Sequence, residues 1–62
     1  MMTVAEILTV ARALKAEIEA RYHATTGTEN RAWDEALSCA EGVVDAADAA
    51  VRAAAENLRI AA

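Results

Sequence analysis

The sequence predicts an all-α antiparallel helical hairpin that dimerises into a four-helix bundle, on three observations. From Trp33 onward, apolar residues recur in unbroken four-then-three steps at Trp33, Leu37, Ala40, Val44, Ala47, Val51, Ala54, Leu58 and Ala61, the period of a continuous helical seam. A broader apolar stripe precedes it, and Thr25-Thr26-Gly27-Thr28, the only turn-like cluster, lies between the two. The chain has 62 residues, one domain at most and near the lower limit for folding on its own buried surface.

The first helix is expected over residues 4–24. Thr3-Val4-Ala5-Glu6 matches a capping box, in which the Thr3 hydroxyl accepts from the Glu6 amide and the Glu6 carboxylate reaches back. Met2 and Ile7 are spaced for the accompanying hydrophobic staple. Val4, Ile7, Ala11, Leu14, Ile18 and Tyr22 form one face, widened by Leu8 and Val10, as in a helix within a bundle. Glu17 and Arg21 are oriented for an ion pair four apart.

The turn is expected over residues 25–28. Gly27 suits the left-handed residue that ends a helix, and Thr28, or Thr26 with Glu29 three residues on, would cap the next one. So short a connection makes the helices antiparallel and brings Tyr22 and Trp33, the only aromatics, together near the turn.

The second helix is expected over residues 29–60. Large and small residues alternate along its seam, and an alanine at every second knob lets a facing backbone approach closely. Gly42 is the point of tension, because an interior glycine costs about 1 kcal/mol relative to alanine. A break there would let Asp45 cap a third helix. The unslipped register across Gly42 favours a continuous or mildly kinked helix. A second helix about ten residues longer than the first leaves an alanine-rich overhang of about 15 Å, which a second subunit would cover.

Composition points the same way. The lone cysteine excludes an internal disulfide, and one cysteine with one histidine falls short of a structural zinc site. Of the hydrophobic residues, eighteen are alanine, so the core is thin and oligomerisation is the expected remedy. No run approaches the ~20 apolar residues of a membrane span. Glu6 and Arg12 interrupt the N-terminal apolar stretch, which does not read as a signal peptide. A cytoplasmic protein is expected.

The net charge of −4 is placed unevenly. Glu6, Glu17 and Glu19 balance Arg12, Lys15 and Arg21, whereas Glu29, Asp34, Glu35, Glu41, Asp45, Asp48 and Glu56 outnumber Arg31, Arg52 and Arg59. This sign disfavours direct nucleic-acid binding and favours docking to a protein with a basic surface. Asp34, Glu41 and Asp48 repeat every seven residues, with Glu35 and Asp45 beside them, as an acidic ridge. The ordinary reading is a solvated flank that keeps an alanine-rich helix soluble. The functional reading is a docking strip for a basic groove, found quickly and in a salt-sensitive way.

Other side chains carry less. Trp33 reads as core, and Tyr22, at the edge of its stripe, reads as a partner contact whose hydroxyl must reach water or a partner. His23, in the last turn of the first helix, suits the helix dipole. The chain has neither copy of the Glu-x-x-His pair of di-iron bundles, so no metal or cofactor is expected. Cys39 reads as a small, partly buried residue. In the hairpin it lies on the order of 15 Å from His23, too far for a nucleophile and base, and Ser38 fails likewise. No catalytic site is expected.

In length and plan the chain resembles the Rop-type helical hairpin, which dimerises into a four-helix bundle with alternating small and large core layers. The likeness is architectural; the mixed-charge first helix carries no basic face for RNA. In size, charge and plan it also resembles the small acidic helical proteins that phages use against bacterial defence, including anti-CRISPR proteins. The expectation is a non-enzymatic protein-interaction module, with inhibition of a nucleic-acid-handling complex fitting the charge best. One alternative is a structural protein whose helices only drive oligomerisation. Another is a dimer that sequesters a small nucleotide between Arg12, Lys15, Arg31, Arg52 and Arg59.

Overall fold

The computed structural model describes residues 1–61, with side chains through Ile60. Two helices, α1 (Val4–Ala24) and α2 (Gly27–Ala61), pack against each other as a hairpin measuring 53 × 16 × 16 Å. The seam position assigned to Ala61 lies outside the described side chains.

Helix α1 begins as its sequence dictates. The Thr3 hydroxyl accepts from the Glu6 amide at 3.1 Å, and the Glu6 carboxylate accepts from the Thr3 amide at 3.2 Å, so two otherwise orphaned donors are satisfied. The staple partners Met2 and Ile7 both remain exposed. Glu17 and Arg21 pair at 3.0 Å.

The turn differs in detail from expectation. Thr25, with extended backbone (φ −120°, ψ 161°), closes α1, and its hydroxyl donates to the Arg21 carbonyl at 2.9 Å. Gly27 has the left-handed φ of 68°, but it sits at the head of α2 rather than at the end of α1. Helix α2 thus starts two residues earlier than expected, with the Asn30 amide donating to the Thr26 carbonyl at 3.4 Å. Among the described residues neither the Thr26 nor the Thr28 hydroxyl makes a capping bond. Instead the Asn30 side-chain amide, from the first turn of α2, donates to the Tyr22 carbonyl at 2.8 Å and the Thr25 carbonyl at 3.0 Å. One side chain therefore caps α1 across the turn and clasps the two helices together.

Helix α2 runs without a break through Gly42. The third helix is excluded, because no turn residue accompanies Gly42 and the backbone bonds on either side carry it. A Cβ added at Gly42 would meet nothing within 4 Å.

The helices approach as closely as the small residues allow. Ala40 and Ala47 on α2 are buried with Leu8 and Ala11 on α1, while Trp33, Leu37, Val44, Val51 and Ala54 are half-buried. The face of α1 is rotated from the one expected. Ile7 and Leu14, assigned to the core, are exposed, and the packed line is Leu8, Ala11, Lys15, Ile18, Tyr22 and Thr25. The apolar stripe of α1 is wide enough to accept more than one packing line, and the Asn30 bonds to the carbonyls of Tyr22 and Thr25 hold the adopted line at its turn end. The four-three line through those residues includes Lys15, half-buried, a residue type whose aliphatic stem can cover apolar surface while its ammonium keeps to water. Tyr22 meets the His23 ring edge-on at 5.3 Å between centroids, and the Arg21 guanidinium lies 5.5 Å from the centroid of Trp33, a cation–π arrangement.

With 35 residues against 21, α2 exceeds α1 by roughly 21 Å at 1.5 Å per residue. Leu58, assigned to the seam, therefore has no cover in the hairpin and is 74% exposed, as Ile60 is at 75%.

Two stability effects are expected in urea denaturation. Gly42→Ala should stabilise by roughly 0.5–1 kcal/mol, since the methyl group enters open space and the helix gains propensity; a loss would show that another surface occupies that space. Asn30→Ala should cost about 1 kcal/mol; an unchanged midpoint would show that water replaces the clasp without penalty.

Candidate functional site

The acidic residues share α2 with the seam but occupy a different strip of it. At 3.6 residues per turn, Asp34, Glu41, Asp45 and Asp48 fall on one stripe about a quarter-turn from the seam, with Ser38 and Arg52 at the remaining positions. Asp34, Glu41 and Asp45 are exposed. Glu35 is also exposed but stands about 100° further round than Asp34, off the stripe.

The stripe is not uniform in charge. Asp48, nearest the seam, is half-buried and pairs with Arg52 at 3.3 Å, which closes the ridge at its C-terminal end. The other pairs among the described residues are Glu17–Arg21 and Glu56–Arg59, neither on the ridge. Asp34, Glu35, Glu41 and Asp45 have no ion-pair partner among the described residues, and their fields project into solvent. Exposed pairs within the chain stabilise by less than about 1 kcal/mol, so the value of these free carboxylates to the fold itself is small.

Helix α1 contributes the rest of this broad side. Arg12, Lys15, Ala16 and Glu19 line an open groove of about 320 Å³ together with Val44 of α2, and Val44 stands at the ridge-side edge of the seam in helical rotation. The charged flank of α1 therefore borders the groove, and the ridge of α2 lies beyond Val44 on the same side of the hairpin. Of the five cations considered for a nucleotide, Arg12 and Lys15 line it, with Glu19 among them; Arg31, Arg52 and Arg59 do not.

Tyr22 does not join the ridge. It is half-buried on the packed line of α1, and no buried side-chain oxygen or nitrogen among the described residues lacks a partner, so its hydroxyl reaches solvent. Cys39, expected to be partly buried, is a free, exposed thiol. It lies about 120° from the seam on the flank away from the ridge, where the thin hairpin gives it no neighbour. Among the described residues no group of three or more His, Cys, Asp or Glu side chains is placed to hold a metal ion, and no helix is long and apolar enough to cross a membrane.

Two features escape the hydrophobic pattern. One is Asn30, because a polar residue in a first turn is ordinarily solvated and nothing local marks it as bridging two helices. The other is a second four-three series on α2, Ala36, Cys39, Val43, Ala46 and Ala50; its residues are mostly small, and the larger seam beside it dominates the periodicity. Compared with family models, curated proteins and solved structures, the chain matches none.

Proposed function

We propose that this chain is a small acidic, non-enzymatic interaction module that works as a homodimeric four-helix bundle and docks onto a protein with a basic surface. The observation that carries the reading is the set of exposed, unpaired carboxylates Asp34, Glu41 and Asp45 on one stripe of α2. Carboxylates on a preformed helix lose little conformational freedom on binding, and their shared sign steers a basic partner into place. Basic grooves are what nucleic-acid-handling complexes present, so the class of activity that fits is inhibition of such a complex by occupying its groove. Phage-encoded inhibitors acting in the host cytoplasm are the setting in which an acidic module of this size makes sense. Asp48, held by Arg52, has a secondary place in the docking strip, and Tyr22, set on the packed line, stands outside it.

The overhang of α2 favours a second reading. With Leu58 and Ile60 about three-quarters exposed, the open end of the hairpin offers an apolar surface for end-to-end growth, as a structural assembly protein would need.

Replacing Asp34 and Asp45 with asparagine and Glu41 with glutamine should abolish salt-sensitive capture of a basic partner from native-host extract while helicity and subunit mass stay as in the wild type. Capture unchanged by the triple substitution would remove the docking strip. In sedimentation, a closed dimer of constant mass is expected; growth with concentration beyond a tetramer, suppressed by Leu58→Ser with Ile60→Ser, would replace the module with the assembly reading.

A further inference from the structure

The two broad sides of the hairpin are chemically unlike. One carries the ridge and the Arg12–Glu19 flank. On the other lie the large apolar side chains that remain exposed within the paired part of the hairpin, apart from Val4 at its open end: Ile7 at 44%, Val10 at 54% and Leu14 at 55% on α1, and Val43 at 53% on α2. Ala36 and Ala50, half-buried, flank Val43 at seven-residue spacing and continue the side along α2.

We propose that a second copy of this chain covers this apolar side, two hairpins packing face to face across a two-fold axis. The inference rests on the dimer reading above and names the surface that makes the dimer. Three observations select a second copy as the occupant. First, a compact monomer of 6.5 kDa exposes roughly 3,800 Å², whereas this chain exposes 4747 Å². The excess of roughly 900 Å², shared between this side and the overhang, matches the ~800 Å² that each partner contributes to a stable interface.

Second, the charges permit self-association here and oppose it elsewhere. Each copy carries −4, and stacking ridge on ridge would set these charges against each other. Packing through the apolar side leaves both ridges facing outward. Glu17 and Arg21, at its α1 rim, are already paired at 3.0 Å and bring no net charge to the contact.

Third, the hairpin alone has four buried residues among those described, Leu8, Ala11, Ala40 and Ala47, and no side chain below 2% exposure. A face-to-face partner converts the half-exposed Ile7, Val10, Leu14 and Val43 into a core layer between the two hairpins. The isologous geometry uses the same patch on both copies, so no further surface is left to propagate growth from this side.

Sedimentation of the full chain tests the surface. The wild type should run as a dimer, and Leu14→Glu and Val43→Glu should each raise the dimer dissociation constant by on the order of 100-fold, because each substitution is counted twice in a two-fold interface. Ala16→Glu, which adds the same charge to the groove side, should leave it unchanged. Because losing the dimer can unfold so thin a hairpin, maleimide labelling of Cys39 in the wild type supplies a second measure. Its rate should fall as protein concentration rises through the dimerisation range. A wild type that stays monomeric would overturn both this surface and the dimer reading. A wild-type dimer that resists Leu14→Glu and Val43→Glu, or labels at Cys39 at one rate throughout, would overturn this surface alone and leave the dimer to the α2 overhang.

Discussion

Everything in this hairpin follows from the close approach of two helices along one line of alanines. Ala40 and Ala47 have almost no side chain to hold α1 away, so Leu8 and Ala11 settle against them and are buried. A contact line between two cylinders is narrow, however. It leaves the flanks of each helix uncovered, and a chain of 62 residues has no third element to lay over them. The burial that a larger domain would find within itself must here be shared between one line of intimate contact and the flanks beside it.

That geometry makes the chemistry of the flanks decisive. The rotation of α1, held at the turn by Asn30, has Lys15 on the packed line and Ile7 and Leu14 off it. The same rotation gathers Arg12 and Glu19 beside the groove bordered by Val44. Apolar and charged flanks thus end on opposite sides of the helix pair. A charged surface and an apolar surface are thereby kept apart, each confined to its own side.

Much of this architecture is readable in the sequence because it depends on period and on local chemistry. The capping box at Thr3 and Glu6 is a four-residue signal and forms as read. The seam from Trp33 to Ala54 is a phase signal sustained over more than twenty residues, and its phase carries α2 straight through Gly42. What escapes is the rotation of α1. Its apolar stripe is wide enough to accept more than one packing line, and the line adopted runs through a lysine that a hydrophobic pattern rejects. A side-chain amide acting across the turn holds that line at one end, a tertiary bond that no local window contains. The ridge was readable as a pattern of residues, but its electrical end was not, because the Asp48–Arg52 pair depends on rotamers as well as on spacing.

The placement of Trp33 gives the molecule an internal optical reporter. It is the single tryptophan, it sits half-buried nearly two helical turns into α2, and the Arg21 guanidinium lies over its ring. Its emission therefore senses whether the two strokes of the hairpin are closed at the turn. The far end of α2, about 40 Å further along the helix at 1.5 Å per residue, is outside its range. Fraying of the overhang would leave the tryptophan signal unmoved while far-ultraviolet ellipticity falls, so the two optical signals divide the helix into a clasped half and a free half.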